Sequence, residues 1–198
     1  MKLHYALTSP YVRKVMACAI VRGLDSGIEK IPTNPSASPA SLLNDNPLSK
    51  VPCLVTDDGI ALYDSPVICE YLDSLGGSAK LFPPAGPARW RALKLQAMGD
   101  GILDAAVPCR GETLKPKEDA RDALIARYKA AISRTVDALE ADMPGTGLDI
   151  GTIAVACALG YLDFRFPNDP WRPGHPKLTA WFAAFSAHPA IAGTAPKE

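Results

Sequence analysis

A segment rich in glycine and proline, residues 76–87, separates two parts of this sequence that differ in pattern. It holds three glycines and three prolines, which favour loops over helices and strands. Before this segment, short apolar runs alternate with helical patterns, and after it apolar residues recur only at helical spacing. Strands followed by a run of helices predict an α/β part and a separate all-α part. We therefore expect one domain at residues 1–77, a linker at 78–86 and a helical domain at 87–198.

The first part is predicted to follow the order strand, helix, strand, then strand, strand, helix. Two of its helices begin with serine followed by proline, which is typical of helix N-termini. The predicted elements are a strand at 1–7, a helix from Pro10 to Gly23, a strand at 28–31, a short helix at 40–44, a hairpin of residues 51–55 and 60–63, and a helix at 67–75. This order predicts a small sheet with helices packed on it.

Only helices are predicted for the second part. Apolar stripes indicate helices within residues 90–107 and 120–141. Residues 150–162 form the most apolar stretch, which is typical of a buried core helix and too short to span a bilayer. Asp149 and Thr152 are spaced to cap each other at the start of this helix, so we assign them to fold stability and not to catalysis.

The charges of the chain balance, with 21 Lys and Arg against 21 Asp and Glu. Because there is no basic excess, we expect no nucleic-acid partner and no binding to an anionic membrane. The five cysteines and three histidines are scattered, so we expect no bound metal. An odd number of cysteines with apolar neighbours is typical of reduced, buried thiols, and we therefore expect a cytoplasmic protein.

Ser9 lies where a predicted strand ends and a predicted helix begins. The N–H groups and the macrodipole at a helix N-terminus stabilise an anion, so a thiolate bound there would have a lowered pKa. A substrate that carries its own thiol would need only a hydrogen-bond donor, such as the Ser9 hydroxyl, from the protein. An ordinary helix cap is the alternative interpretation of Ser9.

Val51 and Pro52 open the predicted hairpin. A cis bond before Pro52 would leave the backbone N–H and C=O of Val51 available to an extended peptide that adds to the sheet edge. An ordinary trans proline at a strand edge is the alternative.

Asp64 and Ser65 precede the last predicted helix of the first part. Ser65 is predicted to cap that helix, whose N-terminus could hold a carboxylate, and Asp64 could pair with an α-ammonium group. Helix capping alone would also explain both residues. Ser9 would thus activate a thiol, Val51 would bind a peptide backbone, and Asp64 with Ser65 would bind the ammonium and carboxylate of an amino acid. A ligand with all three features is the tripeptide γ-glutamyl-cysteinyl-glycine.

Six motifs, in order along nearly the whole chain, resemble those of bacterial glutathione S-transferases. They are T-S-P-Y-V-R-K-V at residues 8–15, N-P-L-S-K-V-P-C-L at 46–54, D-S-P-V-I-C-E-Y-L at 64–72, G-D-G-I-L-D-A at 99–105, A-C-A-L-G-Y-L-D-F-R at 156–165 and G-H-P-K-L-T-A-W-F at 174–182. The resemblance implies a thioredoxin-like βαβ-ββα domain followed by a helical bundle. It also implies a homodimer that uses glutathione as co-substrate and needs no metal.

The resemblance assigns the glutathione-binding roles residue by residue. Ser9 would act on the sulfur, and Val51, ahead of a cis Pro52, would pair with the cysteinyl backbone. The γ-glutamyl end would be held by Asp64 and Ser65. Lys50 is implied as a contact of the glycyl carboxylate.

A pocket for the second substrate is expected between the two domains. The residues predicted to line it are Tyr11, Ile102, Ala106 and Arg110. Packing within a helical core is the alternative interpretation of these positions. Arg13 and Lys14 are expected on a solvated or domain-bridging face.

Two positions depart from the family pattern. Ser9 stands where Tyr or Cys is found in other members, which argues against a tyrosine mechanism and against a mixed disulfide with the protein. Asp64 stands where Glu or Gln is common. The expected reaction is addition of the glutathione thiolate to a small hydrophobic electrophile. The alternatives are glutathione-dependent reduction of a disulfide or peroxide, and a non-catalytic glutathione-binding or interaction module.

Overall fold

The observed elements follow the predicted order, with strands among helices first and helices alone afterwards. A computed structural model describes residues 1–75 and 80–197, so part of the predicted linker, at residues 78–79, lies outside the described residues. The strands are β1 (Lys2–Tyr5), β2 (Glu29–Pro32), β3 (Cys53–Val55) and β4 (Ala61–Leu62). The α-helices are α1 (Pro10–Val21), α2 (Ala40–Asp45), α3 (Ser65–Ser74), α4 (Pro87–Thr113), α5 (Asp119–Ala141), α6 (Ile150–Arg165), α7 (Pro176–Ser186) and α8 (Pro189–Ala192).

The four strands form one mixed sheet in the order β2-β1-β3-β4. Strand β1 runs parallel to β2 and antiparallel to β3, and β4 runs antiparallel to β3. The sheet and its helices give the thioredoxin-like arrangement that the resemblance implies, and no strand is found among described residues after β4. The predicted fold class is therefore confirmed.

Strands β1, β3 and β4 are shorter than the sequence pattern predicts. β1 ends at Tyr5, because the chain turns and the Ser9 N–H donates to the Ala6 carbonyl at 3.1 Å. β3 begins at Cys53 instead of Val51, since Pro52 has no N–H to donate to the ladder. The sequence pattern therefore located all four strands, but it placed the ends of β1, β3 and β4 too far out and placed β2 one residue too early.

The chain divides into two compact units. The first comprises residues 1–75 and 80–84 together with 189–197, and the second comprises residues 85–188. The sequence-based division assigned the C-terminal tail to the helical part, whereas α8 packs against α1. This arrangement makes the end of the chain part of the unit that carries the sheet.

Arg13 and Lys14 are not on a solvated face, contrary to one expectation from the sequence. Arg13 is 7% exposed and Lys14 is fully buried. The Arg13 Nη2 donates to the carbonyl of Ile191 in α8 at 3.2 Å. A charged pair in a helix pattern normally indicates a surface, but here the returning tail covers this part of α1.

The helical unit is built on close backbone contact between α4 and α6. A Cβ added to Gly151 would lie 2.4 Å from the carbonyl oxygen of Ala92, and one added to Gly99 would lie 2.7 Å from the carbonyl carbon of Ala154. Such distances leave no room for a side chain, so these glycines permit the two helices to approach. No helix among the described residues is long and apolar enough to cross a membrane.

The start of α6 carries the predicted reciprocal cap. The Asp149 carboxylate accepts the Thr152 N–H at 2.9 Å, and the Thr152 hydroxyl accepts the Asp149 N–H at 3.0 Å. The cap satisfies backbone donors at the start of a helix whose residues 150–162 are all buried. The prediction that Asp149 and Thr152 cap each other at the start of α6 is confirmed.

Candidate functional site

The sheet register brings three of the predicted site segments to one edge. His4 pairs with Cys53, so the end of β1 lies beside the start of β3. Leu54 pairs with Leu62, so the end of β4 reaches the same edge. Ser9 follows β1, Val51 precedes β3 and Asp64 follows β4, so the three residues lie at the same end of three adjacent strands. Two strand spacings correspond to about 10 Å, which an extended tripeptide can span.

Ser9 is the N-cap of α1 and is half-buried. Its Oγ accepts the Val12 N–H at 3.3 Å, and its carbonyl accepts the Arg13 N–H at 3.0 Å. A serine hydroxyl has one proton to donate in addition to its lone pairs, so capping leaves that proton available to an incoming anion. Pro10 has no N–H, so this helix offers fewer backbone donors than an ordinary N-terminus. The cap interpretation and the thiol-activating interpretation of Ser9 are therefore compatible.

Val51 is buried and precedes a cis bond to Pro52, as the resemblance implies. It lies just outside the ladder, and neither its N–H nor its C=O has a hydrogen-bond partner within residues 1–75 and 80–197. Lys50, the residue before it, has an exposed side chain and a carbonyl that accepts the Asn46 Nδ2 at 2.9 Å. The structure thus presents an unpaired backbone pair at the sheet edge.

Asp64, and not Ser65, is the N-cap residue of α3, which corrects the sequence-based assignment. Ser65 is the first helical residue and is 2% exposed, whereas the Asp64 side chain is exposed and makes no capping hydrogen bond. The Tyr63–Asp64 bond is also cis. Since Asp64 is not used as a cap, its carboxylate remains accessible for a cation.

The residues predicted to line the second-substrate pocket fall into both units. Tyr11 is half-buried near the start of α1, whereas Ile102 and Ala106 are fully buried in α4 and Arg110 is half-buried near its end. Ile102 and Ala106 lie three and seven residues after Gly99, on the face of α4 that meets α6. This position is what helix packing requires, and a role for the four residues in substrate binding stays a prediction.

The cysteines do not contribute an accessible thiol to the site. All five are free and buried. Cys53, at the start of β3, has its pKa raised to about 11 by burial and by the neighbouring charge of Asp45. A thiol of this kind is protonated at neutral pH and is a poor nucleophile. Among the described residues no group of three His, Cys, Asp or Glu could hold a metal ion.

Sequence reasoning missed Asn46 as a residue of this region. The motif at residues 46–54 contains it, yet only Lys50, Val51 and Pro52 of that motif were given roles. Asn46 is 1% exposed, and its carboxamide accepts the Leu48 N–H at 3.0 Å as well as donating to the Lys50 carbonyl. An Asn followed by Pro after a short helix is a signal for such a local turn.

The helical unit has a cavity of about 440 Å³ that the sequence did not indicate. Its lining residues include the apolar side chains of Ile132, Val136, Leu162, Phe166 and Trp171. His175 also lines it, with Nε2 at 2.8 Å from Asp137 and Nδ1 at 2.6 Å from the Trp171 carbonyl. Both ring nitrogens face acceptors, which favours the imidazolium form. Burial lowers the pKa of His175, but these two hydrogen bonds outweigh it and raise that pKa overall.

Two family models match this chain in sequence. Residues 8–75 match the glutathione S-transferase N-terminal domain, and residues 122–184 match the C-terminal domain. The uncharacterized GST-like protein YibF of Escherichia coli K12 is 33% identical, with full coverage of both chains.

Solved structures give the same result. A glutathione transferase family member from Pseudomonas fluorescens Pf-5, crystallised with bound glutathione, is 41% identical with a TM-score of 0.93, covering 100% of this chain and 99% of that one. A structure from the same organism with bound S-(propanoic acid)-glutathione is 38% identical with a TM-score of 0.88 and full coverage of both chains. The matched domains, the full-length relatives and the sheet-edge geometry agree that this chain belongs to the glutathione S-transferase family.

Proposed function

We propose that this protein is a glutathione transferase that binds glutathione at the sheet edge and adds its thiolate to a small hydrophobic electrophile. The observation that carries the proposal is the meeting of Ser9, Val51 and Asp64 at one edge of the sheet. Bound glutathione in one similar structure and bound S-(propanoic acid)-glutathione in another support glutathione as the ligand.

The chemistry depends on ionising the glutathione thiol, whose pKa in water is near that of a free cysteine, about 8.5. The thiol proton would pass to water, and the Ser9 hydroxyl would donate a hydrogen bond to the resulting thiolate while its oxygen still accepts the Val12 N–H. This hydrogen bond, together with the α1 macrodipole, favours the thiolate over the thiol. The thiolate then forms the carbon–sulfur bond with the electrophile, whose leaving group departs with the electron pair, or whose double bond accepts it and is protonated by water.

The remaining residues bind parts of the tripeptide that lie away from the sulfur. The Val51 N–H and C=O would pair with the cysteinyl backbone next to Pro52. The exposed Asp64 carboxylate would pair with the γ-glutamyl ammonium, and the first turn of α3 at Ser65 would receive the adjacent carboxylate. The Lys50 ammonium would meet the glycyl carboxylate.

The second substrate is proposed to contact the half-buried Tyr11 and Arg110, whose phenol and guanidinium could stabilise negative charge that develops on it. Ile102 and Ala106 are fully buried in α4, so they would support an apolar pocket from behind and would not contact the substrate unless their packing changed. No metal takes part in this mechanism, since the protein only has to bind and ionise a thiol. Five buried free thiols suit the reducing cytoplasm, where we place the reaction.

Reduction of disulfides or peroxides through a protein thiol is disfavoured, because Ser9 occupies the position of a nucleophilic cysteine and Cys53 has a pKa of about 11. A reductase that uses two glutathione molecules needs no protein thiol and is the second candidate. A glutathione-binding module without activity is the third. Turnover with a chloronitrobenzene, a peroxide and a glutathione mixed disulfide distinguishes the three, and binding without turnover identifies the module.

The test of the proposed roles compares Asp64→Ala and Ser9→Ala with matched surface variants. Asp64→Ala should raise the glutathione Kd about tenfold with little change in kcat, because the contact is equal in ground and transition states. Ser9→Ala should instead move the pH–rate midpoint upward, because the thiolate loses the hydrogen bond that stabilises it. Each unit of the rise in thiol pKa corresponds to about 1.4 kcal/mol. Asp25→Ala and Ser41→Ala, both exposed, are the controls. An unchanged Kd in Asp64→Ala and an unchanged pH profile in Ser9→Ala would remove the assigned roles.

A symmetric homodimer is the proposed assembly, with α4 and α5 in the contact. Trp90, near the start of α4, is 69% exposed, which is unusual for a large aromatic side chain on a monomer surface. A two-fold interface would bury the same residue of both copies. Light scattering should give twice the chain mass of 21.0 kDa, and Trp90→Glu should shift the protein toward the monomer. A monomer at micromolar concentration for the wild type would contradict the assembly.

A further inference from the structure

The loop between α2 and β3 is held by one buried side chain. Asn46 follows α2 directly, and its Oδ1 accepts the Leu48 N–H at 3.0 Å while its Nδ2 donates to the Lys50 carbonyl at 2.9 Å. The Ser49 N–H donates to the Asn46 carbonyl at 3.0 Å, and Ser49 has a φ of 51°, which residues other than glycine rarely adopt. The carboxamide therefore bridges the middle and the end of a loop with an uncommon backbone conformation.

The base of this loop is anchored to the centre of the sheet. The carboxylate of Asp45, the last residue of α2, lies 2.8 Å from Nε2 of His4 in β1. The other ring nitrogen of His4 lies 3.0 Å from the Thr33 hydroxyl. His4 is buried, so its ring has no freedom to follow a moving loop. The residue before Asn46 is thus held against β1, the strand that leads to Ser9.

The bond from Asn46 to Lys50 sets the direction of the Val51 N–H. The Lys50 carbonyl and the Val51 N–H belong to one planar peptide group, and in a trans peptide they point in opposite directions. Because the Asn46 carboxamide holds the carbonyl toward the protein, the N–H is turned the other way. That N–H has no partner within the described residues and is half of the proposed peptide clamp.

We propose that Asn46 is the positioning residue of the glutathione site: it orients the Lys50–Val51 peptide so that the Val51 N–H meets the cysteinyl backbone of glutathione. This inference rests on the proposed function. Asn46 itself does not touch the substrate. Loss of the Asn46 carboxamide would weaken the binding of glutathione equally in the ground and transition states. Ionisation of the thiol at Ser9 would be unaffected.

Asn46→Asp is the sharpest variant, because it keeps an acceptor for the Leu48 N–H and places a carboxylate oxygen against the Lys50 carbonyl. Calorimetry should show a glutathione Kd at least about tenfold higher, and kinetics should show the same rise in KM with an unchanged kcat and an unchanged pH–rate midpoint. The control is Asn34→Asp, whose Oδ1 accepts the Ser36 N–H at 3.1 Å in an exposed turn of the same unit. Its Kd should stay within about twofold of the wild-type value.

A second measurement needs no variant and covers the case in which Asn46→Asp does not fold. Amide exchange followed by NMR in the wild-type protein should be slow at Leu48 with and without glutathione. Exchange at Val51 should be fast in the free protein and slow in the complex. A Leu48 amide that exchanges as fast as that of Val51, or an Asn46→Asp protein that binds glutathione as well as wild type, overturns the assignment of Asn46. A wild-type protein that does not bind glutathione overturns the proposed function and this inference with it.

Discussion

The two units bury very different kinds of side chain. Among the described residues, the first unit buries the polar or charged side chains of His4, Arg13, Lys14, Arg22, Asn46, Thr56, Ser65 and Asp73. The helical unit, which is the larger of the two, buries only those of Gln96 and Thr152. Its core is otherwise aliphatic, aromatic and small.

This difference follows from what each unit has to hold in place. Buried polar side chains in the first unit bind loop backbone, as Asn46 does before Val51 and as Asp73 does with the N–H groups of Leu81 and Phe82. The helices of the second unit satisfy their own backbone and need only complementary surfaces, such as the contact at Gly151. The unit with more loop backbone to hold thus depends on specific hydrogen bonds, and the helical unit depends on packing.

Loss of the Asp73 carboxylate should have the largest effect. Asp73 accepts the N–H groups of Leu81 and Phe82 at 2.7 and 3.2 Å, and it lies 3.4 Å from Nε of the buried Arg22. Asp73→Ala would remove the carboxylate of a buried ion pair and should lower the free energy of unfolding by about 3–5 kcal/mol in denaturant titration. Asp25→Ala, at an exposed site, is the control. A loss below about 1 kcal/mol would show that this hydrogen-bonded group does not hold the unit together.

A side chain at Gly151 should have the next largest effect, and it tests the packing side of the comparison. Because the added Cβ would meet the Ala92 backbone at 2.4 Å, Gly151→Ala should destabilise the protein by about 3 kcal/mol. Gly101 in α4 has nothing within 4 Å of its added Cβ, so Gly101→Ala should stabilise the helix by up to about 1 kcal/mol. Equal effects of the two variants on the melting temperature would contradict the close contact of α4 with α6.

The contrast between the units also explains how far the sequence could be interpreted. Helical periodicity located α4, α5 and α6, because their cores are apolar and follow the pattern. The solvated face predicted for Arg13 and Lys14 was wrong, because both are buried and periodicity cannot foresee a tail that returns to pack on α1 and to accept a hydrogen bond from Arg13. The strand ends were also misplaced, because alternation alone does not show where the ladder stops.

The helix cap at Asp149 should contribute less than either contact above. Asp149→Ala removes the acceptor of the Thr152 N–H and should cost about 1 kcal/mol, measured as a small fall in melting temperature. Thr146→Ala, an exposed loop position in the same unit, is the matched control. Because the cap lies in the helical unit, glutathione affinity should not change. A change in that affinity would show that the cap does more than stabilise α6.

The pH dependence of His175 should be the smallest effect. Its pKa is raised above the ordinary 6.5, so the folded state binds the proton more tightly than the unfolded state. The stabilisation is therefore complete below pH 6.5 and is lost as the pH rises through the folded-state pKa. His175→Gln should lower the melting temperature at pH 5.5 and have little effect at pH 9. The loss should stay below about 1 kcal/mol, because Asp137 is exposed. A larger fall in melting temperature at pH 9 than at pH 5.5 would contradict a raised pKa of His175.

The candidate site was only partly visible in the sequence. Ser9 and Val51 stand out because each directly precedes a proline, and Asp64 stands out because it lies two residues before Pro66 at the start of a predicted helix. The cap assigned to Ser65 was wrong by one residue, since both Asp and Ser favour that position and propensity does not choose between them. Asn46 was missed because its role depends on two backbone contacts within a loop, which no periodicity reports.

A crystal structure of the complex with glutathione tests the central claim most directly. The account predicts the tripeptide extended along the sheet edge, with the cysteinyl backbone hydrogen-bonded to the Val51 N–H and C=O. It predicts the γ-glutamyl group at Asp64 and Ser65, and the sulfur within hydrogen-bond distance of Ser9 Oγ. Glutathione bound away from this edge, or a sulfur that faces another side chain while Ser9 only caps α1, would contradict it.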